Sequence, residues 1–305
     1  MQSTHNRFVA LKKQSIEKTG RDKLVTTLTQ RRLVQTTSAH TMSRSKAFQA
    51  SNIGRSNLGE GVDPFLQIDH FRMSQPVFPP HPHAGFSAVT YLFEDSEGAF
   101  INRDSLSEES VLIHPGDLHW TQAGSGVVHE EVPAQLGTVC HGLQIFVNLA
   151  AKDKFSAPKA FHLSAADIPV YAANGGRVRV VVGEAFGLKS PLETLTPVTL
   201  LDVALSAGDR IEYEISKGQN AFVLVVKGEG EFGGQVLSAE SAGLFDAAGD
   251  RIMTKAGGQG LQYVLCAGAP LNEPIYAHGP FVMNSAEQIR QVHARYMAGG
   301  MGELV

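Results

Sequence analysis

The sequence predicts an all-β chain of two jelly-roll β-barrels packed side by side, with a short C-terminal helix. Three observations carry this. The 305 residues include 31 Gly and 14 Pro, which break the chain into short apolar runs bounded by turn residues. Helical periodicity is nearly absent before residue 285. The chain also matches itself at an offset of 133, pairing Gly85 with Gly218, Ala88 with Ala221, Gly116–Asp117 with Gly249–Asp250 and Ala123–Gly124 with Ala256–Gly257. Duplicated strands without β-α-β spacing fit paired antiparallel barrels.

Taken in order, residues 1–30 form a basic N-terminal extension expected to be disordered. Residues 1–46 hold ten Lys/Arg against Glu17 and Asp22, a charge of +8 that leaves −12 for the rest of a chain totalling −4. No apolar segment follows these basic residues, so a secretory signal is not expected, and neither is a nucleic-acid role. Residues 31–160 are assigned to a first, metal-binding barrel. Its strand cores are Leu33–Val34, Ala88–Phe93, Ser110–Ile113 and Gly142–Asn148. Residues 161–305 are assigned to a second barrel, with cores at Arg177–Val182, Val198–Leu205, Ala221–Val226 and Leu261–Ala267. A helix closes it: Ser285 and Gln288 make a capping box, Ile289, Val292 and Tyr296 share a face, and Gly299 stops the run. Cys140 and Cys266 lie far apart in apolar stretches and read as buried thiols. No run is long enough to span a bilayer, and a cytoplasmic location is expected.

Chemistry concentrates in the first repeat. On a strand, residues i and i+2 face the same side, so His81 and His83 point together, as do His129 and Glu131. If both strands line one interior, three imidazoles and a carboxylate converge, a donor set for Fe(II), Ni, Cu, Mn or Zn with positions left open. At the 133 offset these four residues become Glu214, Ser216, Gln262 and Val264, so the second copy is expected to hold no metal. Glu130, between two ligands, faces away. His70, His114, His119 and His141 are candidates to orient the ligands, and Phe71, Phe86 and Trp120 to line a pocket for an aromatic substrate.

The segment His81-Pro-His-Ala-Gly-Phe86, the run Pro115 to Gly126, the pair His129 and Glu131, His141-Gly-Leu-Gln144 and His278-Gly-Pro-Phe-Val-Met-Asn284 resemble the pirin family of bicupins over about residues 31–300. The resemblance implies two cupin barrels face to face, with iron held by His81, His83, His129 and Glu131 in the first only. It also implies one of two activities. The first is a quercetin 2,3-dioxygenase-like ring opening of a flavonol by O₂, with Glu131 as ligand and proton acceptor. The second is a non-catalytic, redox-sensitive role in binding transcription factors or metabolic enzymes. The family's motif often reads His-Pro-His-Arg-Gly-Phe-Glu, where this chain has Ala84 and Ser87, a difference expected to bear on the pocket mouth.

Overall fold

The computed structural model describes residues 29–173 and 175–304. Its strands make two antiparallel barrels. In the first, a seven-stranded sheet runs in the order Lys159–Leu163, Leu118–Gln122, Phe86–Leu92, Cys140–Asn148, Phe65–Met73, Phe48–Gly54 and His40–Arg44. A four-stranded sheet, His81–His83, Val127–Pro133, Phe100–Asp104 and Val111–Ile113, completes that barrel. The second barrel is built on a nine-stranded sheet whose centre is the long pair Asn220–Phe232 and Arg251–Gly268.

Alternation along the strands divides the side chains between two environments. Val89, Tyr91, Leu143 and Ile145 turn outward and join Val198, Leu200, Phe222, Leu224, Val264 and Cys266 of the second barrel in one buried cluster. Each such side chain contributes about 1.5–3 kcal/mol when fully buried, so this shared core binds the barrels firmly. Tyr91 adds a polar tie, donating to Asp202 Oδ2 at 2.8 Å. The intervening residues Thr90, Gln144 and Phe146 are left for the interior of the first barrel. The second barrel fills its own interior with Val223, Val225, Tyr263, Leu265 and their neighbours.

The chain ends cross over. Leu33–Ser38 pairs with Ser241–Phe245, so it is an edge strand of the second sheet and not, as the boundary at residue 31 has it, part of the first barrel. Arg31 is fully buried and donates to the carbonyls of Gly249, Gln219 and Ser216 at 3.0, 2.7 and 3.0 Å. Thr29 N–H donates to Asp250 Oδ1 at 2.6 Å. Thr29 and Arg31 are thus packed on the second barrel, and the rest of the expected extension, residues 1–28, lies outside the described residues. At the other end, helix Ala286–Met297 is capped by Ser285, which accepts from Gln288 N–H, and ends before Gly299 at φ 71°. Its buried Val292 packs with Phe281 and Met283 onto Ala84 and Val128 of the first barrel. The assignment of residues 161–305 to the second barrel alone is therefore corrected at both of its ends, because Lys159–Leu163 also pairs in the first sheet.

Pairing also corrects the repeat register. The gapless offset sets Leu118–Gln122 against the start of Arg251–Gly268. In the sheets, however, it is Ser241–Phe245 that lies beside Asn220–Phe232 as Leu118–Gln122 lies beside Phe86–Leu92. The second copy has shorter connections, so Gln262 and Val264 are not the counterparts of His129 and Glu131. The paired inner positions on Arg210–Glu214 and Arg251–Gly268 are taken by Ile211, Tyr213, Ile252, Thr254 and Ala256, a set without histidine, cysteine or carboxylate.

Candidate metal centre

The strand His81–His83 pairs with Val127–Pro133 so that His129 stands directly opposite His81. With period-two alternation, His83 shares that face. The three rings form a near-equilateral triangle, with centroids 4.8, 4.8 and 4.9 Å apart, and one nitrogen of each lies within 4.8 Å of the others. Among the described residues this is the one such cluster of three or more potential donors.

Two of the rings, His83 and His129, are held neutral. Burial pushes His83 down to about 3, with His81 adding repulsion, and burial likewise holds His129 well below its usual value. The Nδ1–H of His81 donates to the Pro79 carbonyl at 2.9 Å, which leaves Nε2 as a free lone pair. Three converging lone pairs with no donor between them fit a divalent cation of the borderline series.

Glu131 lines the same cavity, but its carboxylate stands outside the three-nitrogen cluster. It accepts instead from Thr90 Oγ1 at 2.6 Å, and burial pushes its pKa up to about 7 despite that bond. Glu130 points away and pairs with Arg103.

The cavity around the histidines is walled by Phe48, Phe71, Phe78, Phe100 and Phe146, with Met42 and Met73. Phe71 and Phe100 stack at 5.4 Å, and Phe48 meets the half-exposed Phe78 edge-on at 5.2 Å, near the opening. Of the aromatics expected to line a pocket, Phe71 does so. Phe86 packs behind His83 and against Phe146, and Trp120 belongs to the core between the barrels. Ala84 and Ser87 are both buried and neither lines the cavity, so the departure at these positions does not reach the pocket mouth.

The other histidines have different places. His114 is exposed in a turn. His119 is buried with both ring nitrogens unpartnered among the described residues, close enough to help depress His129. His70 and His141 lie on the outer face of the sheet. There Asp95, His141, His70 and Glu240 of the second barrel form a file with contacts of 2.7, 2.8 and 2.7 Å. They support the junction between barrels and not the cluster. Sequence reasoning missed Asp69 and Gln144, both of which face the cavity. They stand opposite each other on adjacent strands, a relation that linear spacing does not display.

Comparison with known proteins agrees with this geometry. The family model described as Pirin matches residues 41–147, and that of the Pirin C-terminal cupin domain matches residues 200–302. A pirin-like protein from Solanum lycopersicum is 40% identical over 82% of this chain and 86% of its own length. Pirin from Homo sapiens is 36% identical over 79% and 83%. A crystal structure of quercetin 2,3-dioxygenase from Acinetobacter baumannii is similar with a TM-score of 0.82 and 26% identity, covering 91% of this chain and all of that one.

Proposed function

The chain belongs to the pirin family, and from that premise we propose that it is a metal-dependent dioxygenase that opens the ring of a flavonol such as quercetin. The observation that carries this reading is that the three clustered histidines open directly into a phenylalanine-walled cavity. A site for protein partners alone has no use for a buried aromatic chamber at the metal.

His81, His83 and His129 would hold one divalent ion, with Glu131 turning from Thr90 to become the fourth ligand. Fe(II) is the first choice, and Ni, Cu, Mn or Zn share the donor preference. When bound, the ion supplies the positive charge that acidifies the flavonol hydroxyl and brings the ring anion and O₂ together. The remaining work falls to the chain. Glu131, held near neutrality, accepts the hydroxyl proton on a carboxylate oxygen. Thr90 holds that carboxylate by its hydroxyl until the ion is bound. The phenylalanines grip the flat ring system and exclude water, which strengthens the electrostatic contacts inside.

Oxygen-electrode traces on protein loaded with each ion of the series test the proposal. Uptake with quercetin, lost by at least about 100-fold in His129→Ala, is the expected result. No uptake above the metal-only blank with any ion would overturn it in favour of the regulatory, partner-binding alternative.

A further inference from the structure

One row of residues crosses the floor of the cavity. Thr90, Gln144 and Asp69 stand directly opposite one another on three consecutive strands, Phe86–Leu92, Cys140–Asn148 and Phe65–Met73. The row starts at the metal end, where Thr90 holds Glu131. The Thr90 hydroxyl also lies 3.0 Å from the Gln144 side-chain amide. Strands lie about 4.8 Å apart, so Asp69 is roughly 10 Å from Thr90 along the floor. Gln144 lies between them on the floor, and phenylalanines wall the chamber around it.

Asp69 is held there by two donors from outside the chamber, Asn52 Nδ2 on one oxygen and Gln67 Nε2 on the other, the latter at 3.1 Å. A carboxylate offers about four acceptor positions, so two remain for a ligand. Burial raises the Asp69 carboxyl above its usual range, which is the cost of a charge waiting for a donor. An apolar pocket that keeps such a group must recover that cost from what it binds.

We propose that Asp69 is the specificity-determining residue of this site, accepting a hydrogen bond from a phenolic hydroxyl at the end of the ligand remote from the metal. The ligand class follows: a flat aromatic that carries a metal-binding oxygen at one end and a second hydroxyl at the other. This deepens the flavonol reading and rests on it for the metal-binding end, but it is tested by binding and not by turnover.

The experiment is calorimetry on the full-length, Zn(II)-loaded protein, with 3-hydroxyflavone, which lacks remote hydroxyls, and quercetin, which has them. Wild type is expected to favour quercetin by about tenfold or more, the worth of a hydrogen bond to a charged group. Asp69→Asn should lose most of that preference while 3-hydroxyflavone affinity stays within about twofold. Asp69→Ala should behave likewise, and metal content with thermal melting verifies that each variant is folded. If Asp69→Ala does not fold, the nearly isosteric Asp69→Asn decides alone. Equal losses for both probes, unchanged quercetin binding in Asp69→Asn, or failure of wild type to bind either probe would each overturn the proposal. Absence of oxygen uptake with the quercetin preference intact would instead remove only the dioxygenase reading.

Discussion

Glu131 is a carboxyl whose state depends on what shares its cavity. In metal-free protein burial pushes its pKa up to about 7 against 4.5 for an unperturbed glutamate, so between these pH values the native state binds more protons than the unfolded chain. Its contribution to stability is then fully present below about pH 4.5 and is lost as pH rises through 7, by about 3 kcal/mol in all. Metal-free wild type should therefore lose stability relative to Glu131→Gln between pH 5 and pH 8, as measured by chemical denaturation at each pH. Parallel curves for the two proteins would show that this carboxyl is not buried unpaired. On the proposed ligation, loading with metal should reverse the order, because Glu131→Gln would give up a charged ligand. The pairs His81/His83 and His129/Glu131 were legible in the sequence as facing one cavity since i and i+2 share a strand face, whereas Asp69 was not. Its partners stand beside it across strands, and no linear spacing marks a lone aspartate as facing a cavity.

The C-terminal helix works as a brace behind the metal motif. Val282 N–H donates to the Ala84 carbonyl at 3.0 Å, and the buried Lys154 ammonium donates to the carbonyls of Gly85 and Val282 at 2.8 and 2.9 Å. Gly85 has φ +83°, and a Cβ there would meet the Val282 oxygen at 1.9 Å, so the two segments are in backbone contact. Val292→Asp would place a charge in the fully buried seam between helix and barrel. We expect it to cost about 3 kcal/mol and to weaken metal retention, read from thermal melting and a chelator competition. Lowered melting with unchanged metal affinity would show that the brace supports the fold without positioning the histidines. The helix itself was legible from Ser285, Gln288 and Gly299. Its docking site was not, because an apolar stripe on a helix states that something is buried and not against what. The repeat register failed for a related reason: turn motifs recur at several corners of a jelly roll, and a gapless match aligned corners that are not equivalent.

Each barrel of the molecule is completed by the far end of the chain. Deleting residues 1–28 is expected to leave melting temperature and metal content unchanged, since their basic composition offers little to bury in a core. Deleting residues 1–38 removes the edge strand Leu33–Ser38 and the three carbonyl contacts of Arg31, and should destabilise the second barrel. Equal melting curves for the two truncations would show that the crossed strand adds nothing. That two barrels exist was readable from the doubled strand pattern, but which strand belongs to which barrel depended on long-range pairing that local sequence does not encode.

The crossed ends also set an order in time. A chain leaves the ribosome from its N-terminus, and domains ordinarily fold as they emerge. Here the strand Leu33–Ser38 is made first yet must wait for Ser241–Phe245 before it has a partner. The histidine-bearing barrel emerges early, but the segment that backs His81–Gly85 comes only with residues 281–301. The backing of the histidine strand is therefore finished only after the second barrel has been made.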